Sequence, residues 1–281
     1  MVLISTWPLG FNDGVTDAEN GVTNGTVGTD VMYGEGPPGV GNSSRQFNGG
    51  AESYVDLRVY NRSAIWTTNN DPDFSLSMYL YVNDVSSGTL LHYVSDEYSD
   101  EKANDTSDIN QFKVFIENGE LFVDFGADRI TSLAGTVLAG NEWFHFVFSR
   151  DASQSKIFVY LNRNATKFIG EMPGLNDKVT RFPGYIRVGN SFNTIAAASG
   201  PLIGRAMCLK MFAMKVPLAL CEFDKDCGTA SIVTTTTTTT TTTTMPLTTS
   251  TTPMPSAPMI TTTPSTITSI QSGQISMCFY R

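Results

Sequence analysis

Charge is missing from the end of this chain: no Asp, Glu, Lys or Arg stands between Asp226 and Arg281. Basic residues are scarce throughout, with 18 Lys+Arg against 27 Asp+Glu. Only Arg281 of those charges lies in the uncharged end, so residues 1–227 carry a net charge of −10. That balance argues against nucleic acid and anionic membrane surfaces as partners, because both are held by basic patches. No uninterrupted apolar run is long enough to span a bilayer, so direct membrane insertion by this chain is not expected. The opening MVLISTWPLGF lacks the basic start and apolar length of a secretory signal. No Gly-rich phosphate loop, G-x-S-x-G elbow or H-E-x-x-H motif appears. Histidine is nearly absent too, and both copies, His92 and His145, sit within apparent strands, where packing is the simpler role.

The uncharged end is instead rich in threonine, with eleven in a row from Thr234 to Thr244 and spaced prolines at 246, 253, 255, 258 and 264. A segment this polar cannot bury enough apolar surface to offset the entropy of ordering it. Residues 232–270 therefore read as a disordered, O-glycosylated, mucin-like stalk, or as a bare flexible linker. Five N-glycosylation sequons precede it, at Asn24, Asn42, Asn61, Asn104 and Asn164, each near an expected turn. Stalk and sequons together point to an extracellular glycoprotein, secreted or on the cell surface. Residues 271–281 end in ISMCFYR, like the first strand of a further module, and the chain reads as a fragment of a larger protein.

Residues 1–231 are long enough for one all-β domain with a real core. Alternation is strong in Phe74–Val82 (FSLSMYLYV): Phe74, Leu76, Met78, Leu80 and Val82 face one way, the residues between them the other, as in a half-buried strand. Residues 88–95 (GTLLHYVS) follow after a short turn. Phe112, Val114 and Ile116 alternate up to Asn118-Gly119, and Leu121, Val123 and Phe125 alternate after it. Asn-Gly between two such runs predicts a type I′ hairpin, since both residues tolerate positive φ. Residues 143–149 (WFHFVFS) and 157–161 (IFVYL) form another pair across the turn 150–155, and 185–189 and 205–212 complete the series. Only 217–223 shows any helical period. Many strands with short turns predict an antiparallel sandwich or jelly roll.

Trp143-Phe144-His145-Phe146-Val147-Phe148, followed by Lys156–Asn162 (KIFVYLN), resembles a hairpin of laminin G-like domains, which belong with pentraxins and legume lectins to the concanavalin A-like jelly rolls. Trp7-Pro8-Leu9, Gly36-Pro37-Pro38-Gly39, Phe47-Asn48-Gly49 and Phe74-Ser75-Leu76-Ser77-Met78-Tyr79-Leu80 are similar to that family's opening, with 53–57 as its second strand. Gly204-Arg205-Ala206-Met207-Cys208-Leu209 with Cys227 resembles its closing strand and partner cysteine. Asn162-Arg163-Asn164 departs from the usual Asn-Gly, and Cys221 is extra. The cysteines, Cys208, Cys221, Cys227 and Cys278, allow three pairings. The resemblance implies Cys208–Cys227, a closed loop contributing on the order of 3 kcal/mol. Cys221 is left for Cys278, for a partner, or free.

The family often binds calcium at loops, and the acidic stretch Asp96, Glu97, Asp100, Glu101, Asp105 and Asp108 offers oxygens of the right kind. Asp96, Asp100, Asp105 and Asp108 are thus candidate calcium ligands. The spacing matches no EF-hand and Asn104 lies in a sequon, so a solvated charged loop is the simpler reading. Glucanases share the fold and need paired carboxylates on one strand, as E-x-D-x-x-E. The nearest match, Glu222-Phe223-Asp224, meets Cys227 where the last glutamate would stand, so catalysis is not expected. Tyr79, Tyr81, Phe144, Phe146, Phe148, Phe158 and Tyr160 could stack on sugars or simply fill the core. The function implied is non-catalytic, extracellular recognition of a glycan or a protein, in adhesion, matrix or immune settings. The alternative is a structural spacer of a mosaic matrix or mucus protein.

Overall fold

The structure, a computed structural model, describes residues 3–10, 14–18, 22–23, 25–40, 42–59, 73–98, 108–125, 128–131, 140–151, 156–162, 167–171, 179–180, 183–192 and 199–213. The threonine segment, residues 271–281, the helical stretch 217–223 and four of the sequons lie outside them, as do Cys221, Cys227 and Cys278. The described residues fall in one unit. No helix long and apolar enough to cross a membrane occurs among them.

In chain order the strands begin with β1 (Leu3–Trp7), β2 (Thr16–Asp17), β3 (Val22–Thr23), β4 (Gly25–Val27), β5 (Val31–Gly34), β6 (Ser44–Asn48) and β7 (Val55–Val59). The central strands are β8 (Phe74–Val82), β9 (Ser87–Ser95), β10 (Asp108–Ile109), β11 (Gln111–Glu117), β12 (Glu120–Phe125) and β13 (Asp128–Thr131). The last are β14 (Glu142–Asp151), β15 (Lys156–Asn162), β16 (Lys167–Glu171), β17 (Val179–Thr180), β18 (Gly184–Val188) and β19 (Ile203–Phe212). An eight-stranded sheet runs β16-β15-β14-β8-β19-β6-β5, with β1 also on β19, and a seven-stranded sheet runs β13-β12-β11-β9-β18-β7-β4. Pairing within both is antiparallel, so the fold is a jelly-roll β-sandwich.

The core lies between the sheets, and aromatic rings join them. Phe112 of β11 stacks at 5.0 Å on Phe148 of β14, from the opposite sheet, and at 5.0 Å on Tyr93 of its neighbour β9. Phe74 of β8 closes the group, 5.6 Å from Phe112 and 5.8 Å from Phe148. Val55, Leu57, Val114, Ile116, Val123, Ile186 and Val188 line the seven-stranded side, and Leu76, Met78, Leu80, Phe144 and Phe146 the other. The Asn118-Gly119 hairpin forms as its sequence predicts: φ is 54° and 80° at those residues, and Glu117 pairs with Glu120 across the turn. Asp151 continues β14 two residues beyond its predicted end, still pairing with Lys156 of β15.

Two features differ from the local sequence pattern. The strand expected to be half-buried, β8, is buried on both faces as far as Leu80: Ser75, Ser77 and Tyr79 are buried like the core residues between them, and of its outer residues Tyr81 is partly exposed. The Ser75 and Ser149 hydroxyls bond each other at 2.7 Å, which satisfies two polar groups on that outer side. The second is a bulge in β19, whose pairing with β8 shifts between Met207 and Lys210, with Cys208 at φ 57°. Cys208 gives its N–H to Pro8 O at 2.9 Å. The extra residue resets the alternation, so Leu209 and Met211 reach the core while Met207 and Cys208 both pack on the outer side. It also marks where β19 exchanges neighbours, from β6 for residues 203–206 to β1 for 209–212. Within the first half, Gly204 lets the strands approach closely: a Cβ there would stand 2.2 Å from Tyr81 O.

Phe112→Ala should therefore lower stability by about 3–5 kcal/mol, because one truncation removes contacts to both sheets. Tyr185→Ala, at a ring that is 45% exposed, should cost under about 1 kcal/mol. Urea denaturation of the two variants tests the contrast.

Candidate functional site

Because strand side chains alternate, each outer face is built of rows, one residue per strand, running across the sheet. The middle row of the seven-stranded sheet is Asp56, Arg187, His92, Lys113 and Asp124, on β7, β18, β9, β11 and β12. Its charges are matched internally. Arg187 holds Asp56 with two bonds, 2.7 and 2.8 Å, and its guanidinium lies 3.9 Å from the Tyr54 ring centroid and 4.2 Å from that of Phe192. Lys113 Nζ is 3.9 Å from Asp124 Oδ2. In the next row Arg58 grips both oxygens of Asp96, the second at 2.6 Å, and lies 4.6 Å over the Tyr185 ring.

His92 sits in the middle of that row, fully buried. Its Nδ1 accepts the Phe192 N–H at 3.0 Å, so the ring proton is on Nε2, 3.1 Å from Gln111 Oε1. Burial pushes its pKa down to about 3, with Lys113 and Arg187 adding to the effect. The imidazole is a neutral structural strut, with both nitrogens occupied.

The eight-stranded sheet differs. Most of its outer face is enclosed: Tyr79, His145, Ser77, Val147, Tyr160, Ser75, Ser149 and Phe158 are all buried. One row at its end is not. It reads Trp143, Tyr81, Arg205, Gln46 and Met32, on β14, β8, β19, β6 and β5, in continuous register. Trp143, Tyr81, Arg205 and Gln46 are partly exposed, and Met32 is 54% exposed. Five strands at about 4.8 Å make a strip roughly 19 Å long. The Tyr81 and Trp143 rings lie 5.5 Å apart, and the Arg205 guanidinium lies 4.6 Å over Tyr81. Gly34 leaves the space that the arginine stem occupies, since a Cβ there would come 3.0 Å from Arg205 Cδ. Arg205 Nη1 donates to Glu35 O at 3.3 Å, anchoring the fork. Two rings, a guanidinium and an amide in line can stack on a sugar face and bond its hydroxyls.

Of the candidate calcium ligands, Asp96 commits both oxygens to Arg58, Asp108 opens β10, and Asp100 and Asp105 lie outside the described residues. Among the described residues no group of three or more His, Cys, Asp or Glu is placed to hold a metal. Cys208 is disulfide-bonded, and every other cysteine lies outside the described residues, as do Glu222 and Asp224. Asn42 is exposed on a bend between β5 and β6, whereas Asn24, Asn61, Asn104 and Asn164 lie outside the description. Of the seven aromatics singled out from alternation, Phe144, Phe146 and Phe148 fill the core and Tyr79, Phe158 and Tyr160 are enclosed. Tyr81 alone of these is partly exposed. Arg205, Gln46 and Met32 carry no local signal of a site; only register joins them to Tyr81 and Trp143.

No family model matches the sequence, and no curated protein matches it. Solved structures do match in fold. Domain 4 of AbnA, a GH43 extracellular arabinanase from Geobacillus stearothermophilus solved with arabinotriose, aligns with a TM-score of 0.52 at 15% identity, over 78% of this chain and 95% of that one. The binding domain of Paraclostridial Mosquitocidal Protein 1 aligns with a TM-score of 0.53 at 14% identity, over 78% and 50%. A botulinum neurotoxin type C structure, whose cell entry depends on two ganglioside molecules, aligns with a TM-score of 0.51 at 12% identity, over 78% and 49%. This chain thus spans about half of each toxin chain and nearly all of the arabinanase domain. At these identities the likeness is one of fold.

The burial of His92 has a consequence for acid stability. Its folded pKa lies below the unfolded value of 6.5, so the unfolded chain takes up a proton that the folded chain refuses. The stability this group supports is complete above pH 6.5 and is lost progressively as pH falls toward 3. Between pH 6.5 and 5 the natural protein should lose about 1–2 kcal/mol more than His92→Gln does. Parallel urea titrations at the two pH values measure that difference.

Proposed function

We propose that this is a non-catalytic glycan-binding module, extracellular and of the laminin G-like kind, whose ligand lies along the Trp143–Tyr81–Arg205–Gln46–Met32 strip. The carrying observation is that strip: the row of the eight-stranded outer face that keeps rings and hydrogen-bonding groups open together while the face beside it is closed. Recognition requires an exposed apolar ring with polar groups beside it, and stacking contributes in proportion to the ring area covered. Two structural neighbours, solved with arabinotriose or tied to gangliosides, support a sugar ligand by analogy of fold. An extracellular protein is the second reading, supported by a neighbouring toxin domain solved with rat synaptotagmin II. A glycosidase is not part of this reading, since the nearest E-x-D-x-x-E match, Glu222-Phe223-Asp224, meets Cys227 where its last carboxylate would stand. Calcium dependence stays a property to be tested, resting on the acidic stretch alone.

A glycan array probed with the whole chain, in calcium and in EDTA, tests the reading. Selective binding is expected, falling at least about tenfold in Trp143→Ala while Tyr185→Ala on the opposite sheet leaves it unchanged. Loss of binding in EDTA would add a calcium site. No selective binding by folded protein would sink the glycan reading and favour a protein ligand or a spacer role.

A further inference from the structure

Four described arginines are stacked on tyrosines: Arg45, 4.2 Å over the Tyr33 ring, is buried, and the other three stand on the outer faces. Arg58 lies 4.6 Å over Tyr185, Arg187 lies 3.9 Å over Tyr54, and Arg205 lies 4.6 Å over Tyr81. The first two each hold a carboxylate in a two-bond fork, Asp96 and Asp56. Arg205 has the ring but, among the described residues, no carboxylate: Nη1 bonds Glu35 O, and no described residue bonds the Nε–Nη2 edge. Arg45 also lacks a carboxylate but is 5% exposed, and Arg150 is fully buried. Among the arginines whose side chains are described, Arg205 is therefore the accessible one that no carboxylate neutralises. This cation stands open in a domain whose residues 1–227 carry a net charge of −10.

We infer that the strip takes a linear oligosaccharide carrying a carboxylate, of uronic acid type. The carboxylate sits on the Nε–Nη2 edge of Arg205, and the next sugar ring lies on Trp143, whose ring stands 5.5 Å from that of Tyr81 at an interplanar angle of 58°. This rests on the glycan reading and narrows it. A planar guanidinium edge matches a planar carboxylate with two parallel bonds, each charge-assisted. The fork is already held by Gly34, Glu35 and the Tyr81 ring, so little ordering is left to oppose binding. The two paired arginines on the other sheet show the arrangement completed from within the protein. In Arg205 the ligand completes it.

The test compares trigalacturonic acid with its fully methyl-esterified form by calorimetry on the whole chain. Ring shape and length are unchanged while the charge is removed. The acid should bind about tenfold or more tightly than the ester, with affinity falling as salt rises. Arg205→Gln should abolish the preference of acid over ester, whereas Tyr185→Ala on the other sheet should keep it, and a urea transition like that of the natural protein shows that the Arg205→Gln variant is folded. Equal binding of acid and ester by the natural protein, or a preference that persists in Arg205→Gln, would overturn the inference and leave the glycan reading standing. Binding of neither compound, with no selective binding on the array, would fell the glycan reading itself.

Discussion

Phe112 packs between Tyr93 and Phe148, and this contact joins the two sheets on which everything else depends. Once Phe112 faces inward, period 2 sends Gln111, Lys113 and Phe115 outward, and register with β9 and β12 fixes which residues stand beside them. The same logic runs from Phe74 and Phe148, which put Tyr81 and Trp143 on the opposite outer face. A slip of one residue in any of these strands would exchange core for surface. The aromatic cluster resists that slip, because a polar residue in its place would enter the core without a partner.

The two outer faces are solved in opposite ways. The seven-stranded face balances itself: its arginines and its buried lysine stand against aspartates, and its histidine is neutral with both nitrogens bonded. Such a surface has little left to offer a ligand, since breaking an internal pair to make an external one gains little. Among the described residues the eight-stranded face is mostly enclosed, and at its end rings, guanidinium and amide remain available. Available groups held in place by their surroundings are what recognition requires.

Much of the sandwich was legible in the sequence, because alternation is local. Phe74–Val82 was placed end to end, Asn118-Gly119 announced its turn, and the strand at Trp143 followed from its apolar period. The double burial of β8 was not legible, since the partners of its outer hydroxyls, Ser149 for Ser75 and His145 for Ser77, come from β14, far away in sequence. Nor was the bulge at Cys208, where strict alternation through 205–212 would put Leu209 beside Arg205 and Met207 rather than in the core. The strip was least visible of all. Its members stand at positions 32, 46, 81, 143 and 205, and only pairing between strands brings them into one line. Tyr81 was among the aromatics noted, yet nothing local distinguished it from Tyr79, two residues away and enclosed.

The most direct test of the central claim is to see where a sugar touches the protein. In a titration of trigalacturonic acid into selectively labelled protein, followed by NMR, the account predicts shifts at Trp143, Tyr81, Arg205 and Gln46, with Tyr185 and His92 on the other sheet unmoved. Shifts confined to Tyr185, Arg187 and their neighbours would contradict it and move the binding face to the seven-stranded sheet.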